Sequence, residues 1–347
     1  MTGMRFSRTI GIDYSGAETA EASLKGLRVY EATSDGGPAE VLPPVGPKKY
    51  WTRRGLAEWL IDTLDVRVPT IIGIDHGFSF PMRYFERHGL HPDWQEFLDD
   101  FCAHWPTDGP HTYVDFVRNG SVGNGAARMG ERHWRRLTEE ATGSAKSVFH
   151  FDVQGSVAKS THSAIPWLRK TRQARPQVHF WPFDGWDPEP GASVVVEAYP
   201  RLWSALYAQD ARTSDQQDAY AIARWLRDAV RCGELDQAFE PPSNESVAMT
   251  GRVEGWILGA TWPPKEKPRP VTKDGRARKS KTKATGYNNR NHQEVLSRTG
   301  QPSTDQNQVV YILKCLHCGA KYGVNGSDIF QRRCPKCGGG RPGTALD

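Results

Sequence analysis

The chain has 347 residues, a net charge of +5, and 37% hydrophobic residues supplemented by 36 aromatic side chains. That length accommodates two domains at about 100–200 residues each, and the aromatics supply buried area that the low hydrophobic content lacks. No run of about 18 apolar residues exists to span a bilayer, and Met1 to Arg8 lacks the apolar stretch of a secretory signal, so the expected compartment is the cytosol.

The first strong element is Thr9-Ile10-Gly11-Ile12-Asp13, a β-branched run that ends in a carboxylate and a small turn, Tyr14-Ser15-Gly16. Leu24–Ala32 and a shorter run near Val41 read as two further strands of a meander, with Ser34-Asp35-Gly36-Gly37-Pro38 turning between them. A helix is predicted over Gly55–Leu64, where Leu56, Trp59, Leu60 and Leu64 share one face. Pro69 then introduces a second copy of the opening pattern, Thr70-Ile71-Ile72-Gly73-Ile74-Asp75. Residues 89–190 hold 14 of the 36 aromatics and seven of the 11 histidines. A stretch of that length between core strands reads as an insertion covering a crevice, with helices near Trp94–Phe101, Met129–Thr142 and Ile165–Gln173. Ser193-Val194-Val195-Val196-Glu197 is a third strand closing on an acid. Ser214 with Gln217 forms a capping box that starts a helix carrying Asp215 and Asp218. Trp256-Ile257-Leu258 is the last buried element of this domain. Asn291–Thr299 is expected to be a short helix and Val309–Leu313 a strand.

Charge divides the chain more sharply than its total suggests. Residues 263–284 carry nine Lys or Arg against two acids, and residues 285–347 carry eight against four, leaving −6 on residues 1–262. An acidic body with a basic tail suits a metal-binding core whose polyanionic ligand is held by the tail. The expected layout is a catalytic domain over 1–262, a basic linker over 263–285 that cannot fold alone, and a zinc-bearing domain over 286–347. The linker has no interleaved aromatics, so it attracts phosphate without reading bases.

Cys315-x2-Cys318 and Cys334-x2-Cys337, fifteen residues apart, have zinc-ribbon spacing. Four thiolates close a tetrahedron and leave no open position, so the zinc is expected to be structural; His317 is read as a surface residue. Cys102 and Cys232 read as packing thiols. Asp13, Asp75, Glu197 and Asp218 form the second constellation. Ligands gather at the carboxyl ends of strands in open α/β sheets, and several acids there suit Mg²⁺ or Mn²⁺. A pair of such ions can stabilise both the attacking and the leaving oxygen of a phosphodiester. Asp152–Thr161 fails as a nucleotide P-loop because Val153 and Ala158 stand where glycines are required. Lys159, Ser160, Thr161 and His162 remain candidates for contact with a substrate phosphate.

These segments together resemble a family. Gly11-Ile12-Asp13-Tyr14-Ser15-Gly16, Gly73-Ile74-Asp75 with Phe80-Pro81, Val196-Glu197-Ala198-Tyr199-Pro200, Asp218-Ala219 and Glu254-Gly255-Trp256-Ile257 are similar to the DUF429-type predicted nucleases. These belong to the ribonuclease H-like superfamily, alongside the RuvC-type resolvases. The resemblance spans about residues 6–260. It implies a five-stranded mixed sheet of order 3-2-1-4-5 flanked by helices, with Asp13 and Asp75 as central metal ligands completed by Glu197 and Asp218. The implied activity is metal-dependent hydrolysis of DNA or RNA. Two other classes compete: an ATP-dependent actin-like or sugar-kinase enzyme, which lacks its glycine-rich phosphate loops here, and a non-catalytic nucleic-acid-binding adaptor supported by the ribbon alone.

Overall fold

The computed structural model describes residues 6–64, 68–152, 157–264, 281–302 and 309–344, and the chain divides into two compact units, 1–266 and 267–347. Most of the basic linker, residues 265–280, and Val153 of the rejected phosphate loop lie outside the described residues.

Strands of the first unit are β1 (Arg8–Asp13), β2 (Arg28–Thr33), β3 (Ala39–Glu40), β4 (Thr70–Asp75), β5 (His179–Phe180) and β6 (Val194–Glu197). They form one sheet of order β3-β2-β1-β4-β6-β5, antiparallel over the first three strands and parallel from β1 onward. The expected order is present, and β5, hidden inside the presumed insertion, adds a sixth strand at the edge. Its two residues are too short a run to register as a strand by pattern.

The helices are α1 (Arg53–Thr63), α2 (Met82–His88), α3 (Trp94–His104), α4 (Val114–Arg118), α5 (Leu137–Thr142), α6 (Val157–Ala174), α7 (Ser214–Cys232), α8 (Glu234–Phe239) and α9 (Glu245–Glu254). Helices α1, α3 and α6 cover one face of the sheet. Leu56, Leu60, Phe97, Phe101, Ile165 and Leu168 share a single core there with Ile10, Ile12, Ile72 and Ile74. The aromatic-rich stretch is therefore continuous with the main core, not a detached one. The helix expected from Met129 begins only at Leu137, because Gly130 lies flat on the Phe149 ring, where a Cβ would fall 2.3 Å from Cε2.

Helix α7 covers the opposite face, and two glycines let it come close. A Cβ on Gly11 would sit 2.2 Å from the Ala219 carbonyl oxygen, and one on Gly73 would sit 2.5 Å from Cγ2 of Ile222. Thr9 Oγ1 donates to the Ala223 carbonyl at 3.0 Å across the same seam. The helix starts one residue earlier in its capping pattern than expected. Thr213 Oγ1 accepts from Gln216 N, and Gln216 Oε1 accepts from Thr213 N at 3.0 Å. Gln217 is buried and instead donates to the Ser204 and Tyr207 carbonyls.

The second unit is a three-stranded antiparallel sheet, β7 (Gln293–Pro302), β8 (Val309–Cys315) and β9 (Lys321–Asn325), in that order. The helix expected at Asn291–Thr299 is thus a strand. Asn289 Oδ1 accepts from Asn291 N and Gln293 N, which turns the chain, and pairing with β8 then overrides local helix propensity. No helix among the described residues is long and apolar enough to cross a membrane.

Candidate functional site

Asp13 lies directly opposite Asp75 in the parallel β1–β4 pair, two residues beyond the facing Gly11 and Gly73. Side chains alternate across a strand, so both aspartates project on the face that their glycines open to α7. That helix brings Asp215 and Asp218 alongside. Burial and the Asp75, Asp218 and Asp215 carboxylates hold the Asp13 carboxyl well above its ordinary value, although Arg28 pulls it down. Burial, Asp218 and Glu197 do the same to Asp75. Asp218 is raised by burial and by Asp215, against the pull of the Ser204 hydroxyl, which donates to it at 2.5 Å. None of these four acids takes part in an ion pair among the described residues. Like charges are thus crowded at the mouth of the sheet with no ion-pair partner among the described residues.

Glu197 ends its strand one residue short of that line. It pairs with Ile74, not Asp75, and so its side chain leaves the sheet on the α1/α6 face. There it is buried, with both oxygens occupied. Arg136 donates from Nη2 to Oε1 at 2.6 Å and from Nη1 to Oε2 at 2.7 Å, and Phe78 N reaches Oε2 at 3.2 Å. The same guanidinium donates from Nε to Glu139 Oε1 at 3.0 Å. Burial pushes Glu139 up to about 7 despite Arg136 beside it. Glu254 completes this corner: its carboxylate accepts from Met82 N and Leu137 N, both at 2.7 Å, and fixes the starts of α2 and α5.

Asp13 and Asp75 share one cleft of about 330 Å³ with Glu197, Glu139 and Arg136, and Ser160, Lys146 and Arg201 also line it. Lys146 and Arg201 are exposed. Of the four expected phosphate contacts, Ser160 alone lines the cleft. Lys159 pairs with Asp115 at 2.5 Å. Thr161 is buried and accepts from Gly77 N at 2.9 Å. His162 is buried among Phe80, Phe101, Trp105 and Phe151; burial pushes its pKa down to about 3, and Nδ1 donates to the Ala158 carbonyl at 2.8 Å. Both residues are part of the packing. Arg136, Glu139, Lys146 and Arg201 were not expected in the site. The Arg-x-x-Glu spacing of 136 and 139 was the one trace of the buried pair in the sequence.

In the second unit, Cys315, Cys318, Cys334 and Cys337 bring their sulfurs within 4.8 Å of one another, a set that could hold a metal such as zinc. Cys315 and Cys337 are 3.6 Å apart, and Cys318 and Cys334 are 3.5 Å apart. A tetrahedron with Zn–S bonds of about 2.3 Å has edges of about 3.8 Å, close to these spacings. Burial would raise the Cys315 thiol, yet the backbone amides of Cys318 and His317 outweigh it and bring it down to about 6. Cys102 is half-buried as expected of a packing thiol, whereas Cys232 is exposed at the end of α7.

Comparison of the chain with protein-family models, with curated proteins and with solved structures finds no match.

Proposed function

We propose that the first unit is a divalent-metal-dependent nuclease of ribonuclease H-like type, and that the second is a zinc ribbon that holds nucleic acid. The observation that carries this reading is the in-register Asp13–Asp75 pair, joined by Asp215 and Asp218, with the carboxyls of Asp13, Asp75 and Asp218 raised by burial and by neighbouring carboxylates and no ion pair among the described residues. Asp13, Asp75 and Asp218 are the residues that would hold Mg²⁺ or Mn²⁺. The metal would supply the positive charge that polarises a phosphodiester and makes water nucleophilic at neutral pH.

The protein side of the reaction is positioning. Asp13 and Asp75 must give up their protons to accept the cation, which links activity to pH. Lys146 and Arg201 line the same cleft and suit the phosphates flanking the scissile bond. Glu197, expected as a further ligand, already serves Arg136 with both oxygens, so its role here is to fix the wall of the cleft through that pair.

The test is a cleavage screen of single-stranded, duplex and branched DNA and RNA with Mg²⁺ or Mn²⁺. Wild type should cut at least one substrate, and Asp13→Asn and Asp75→Asn should not. Equal inertness of all three proteins on every substrate would end the nuclease reading.

A further inference from the structure

The ribbon carries a surface that the basic linker cannot provide. Phe330 is 49% exposed and Leu316, inside the first knuckle, is 48% exposed. The two belong to one surface. The Arg290 guanidinium stands 5.6 Å over the Phe330 ring. Asn291, next in the chain, donates from Nδ2 to the Gln331 carbonyl at 2.9 Å. The His292 carbonyl accepts from Leu316 N at 3.0 Å, and the His292 ring meets the His317 ring edge-on at 5.1 Å. Arg290, His292, Leu316, His317 and Phe330 are all exposed. None is needed to fill the ribbon's core, which Val295, Tyr311, Leu313, Tyr322 and Ile329 already form.

We infer that this surface stacks unpaired bases of a single-stranded nucleic acid. A phenyl ring topped by a guanidinium, with an imidazole pair two residues further along the segment that carries that guanidinium, offers flat, sequence-tolerant contacts to any base. Residues 285–347 carry eight Lys or Arg against four acids, which suits a polyanion and disfavours a basic or purely apolar partner. Bases inside a duplex are already stacked on each other, so the surface selects strands whose bases are free. The inference rests on nucleic acid being the ligand, and not on the chain hydrolysing it.

The experiment is fluorescence anisotropy with the zinc-loaded full chain, a labelled ten-nucleotide pyrimidine strand and its duplex, without added Mg²⁺ or Mn²⁺. Wild type should bind the single strand more tightly than the duplex. Phe330→Ala should weaken single-strand binding by about tenfold, as expected for one lost base–aromatic stack, with an unchanged salt slope. Phe330→Trp should keep or improve it. Arg333→Ala, which removes an exposed charge without touching the ring, should weaken both ligands alike and reduce the salt slope by about one. Zinc content, measured on each variant, separates loss of the surface from loss of the ribbon. Equal affinity of wild type and Phe330→Ala would overturn the inference, as would parallel losses in Phe330→Ala and Phe330→Trp with zinc retained. Preference for an acidic peptide over the oligonucleotide would assign the surface to a protein partner instead. Binding is read without added Mg²⁺ or Mn²⁺ and requires no cleavage, so failure of the cleavage reading leaves this result legible.

Discussion

On one face of the sheet's mouth, burial and neighbouring carboxylates, that of Asp215 among them, raise the pKa values of Asp13, Asp75 and Asp218, and none of the four acids forms an ion pair among the described residues. On the other face, Glu197 and Glu139 share the Arg136 guanidinium, and the second Glu139 oxygen accepts from the Arg136 backbone N–H. Asp13 and Asp75 line the same cleft as Glu139 and Glu197, yet one pair has a counter-charge and the other does not. A buried ion pair with satisfied hydrogen bonds holds elements together; like charges gathered without a partner cost stability and persist where something else binds them. One residue of strand register separates these two fates, because Glu197 faces Ile74 and Asp75 faces Asp13.

The sharpest way to break this contrast is to neutralise one acid on each face. Asp13→Asn or Asp75→Asn should lower cleavage by about 10³-fold or more, equivalent to about 4 kcal/mol of transition-state stabilisation. The same substitutions should raise the melting temperature of the metal-free protein, since they remove repulsion. Glu197→Gln should do the reverse and lower stability, because Arg136 keeps only Glu139 in a buried site. Melting curves alongside cleavage rates decide this; a stabilised Glu197→Gln would place that acid with the aspartates.

Next in size is the Arg136 pair itself. Removing either partner of a buried ion pair costs about 3–5 kcal/mol, and Arg136 also fastens the Glu254 carbonyl at 3.2 Å. Arg136→Met and Glu197→Leu should therefore each destabilise strongly in denaturant titrations. The double variant should cost less than their sum, because neither charge is then left alone. Strict additivity would mean that the two side chains do not depend on each other.

Cation binding should separate the faces again. At one hundred times its dissociation constant, Mg²⁺ or Mn²⁺ stabilises the folded state by about 2.7 kcal/mol, which should appear as a raised melting temperature of wild type. That shift should vanish in Asp75→Asn and survive in a folded Glu139→Gln. A shift that survives Asp75→Asn would put the cation elsewhere.

Much of this was legible in the sequence, and the misses share a cause. The repeated Gly-x-Asp at 11–13 and 73–75 made both strands and their terminal acids legible, whereas the close helix emerged only in the fold, where the glycine two residues before each acid clears the face on which the acid projects. The cysteine knuckles were legible because each pair is local, and spacing alone brings its two sulfurs together. The Arg136 pairing of Glu197 was not legible because three acids at strand ends look equivalent until register is known, and register depends on pairing across more than a hundred residues. Thr161 and His162 were opaque for the same reason: their residue types suggest phosphate, but α6 buries both, Thr161 against Gly77 N and His162 against the Trp105 ring. The capping register of α7 and the strand at Gln293–Pro302 were set by tertiary partners, Ser204 and β8, which no local pattern contains.

The smallest effect carries the finest information about the aspartate face. Burial and neighbouring carboxylates raise Asp13 and Asp75 above their ordinary value, so the folded state binds protons more readily there than the unfolded chain. Their stabilising contribution is fully present below the ordinary aspartate range, near pH 4, and is lost as the pH rises through their raised values in the fold. Other groups titrate as well, Glu139 at about 7 among them, but they are common to wild type and Asp13→Asn and largely cancel in the difference between the two. Measured without metal, the melting temperature of Asp13→Asn minus that of wild type should be small near pH 4.5 and grow to a few degrees by pH 8, each kcal/mol being worth roughly 2–4 °C in a unit of this size. Saturating Mg²⁺ should reverse the sign at high pH, because wild type alone then gains a cation in place of the lost protons. A difference that stays flat with pH would mean that neither burial nor its neighbours raise Asp13, and the aspartate face would lose its claim to be a cation site.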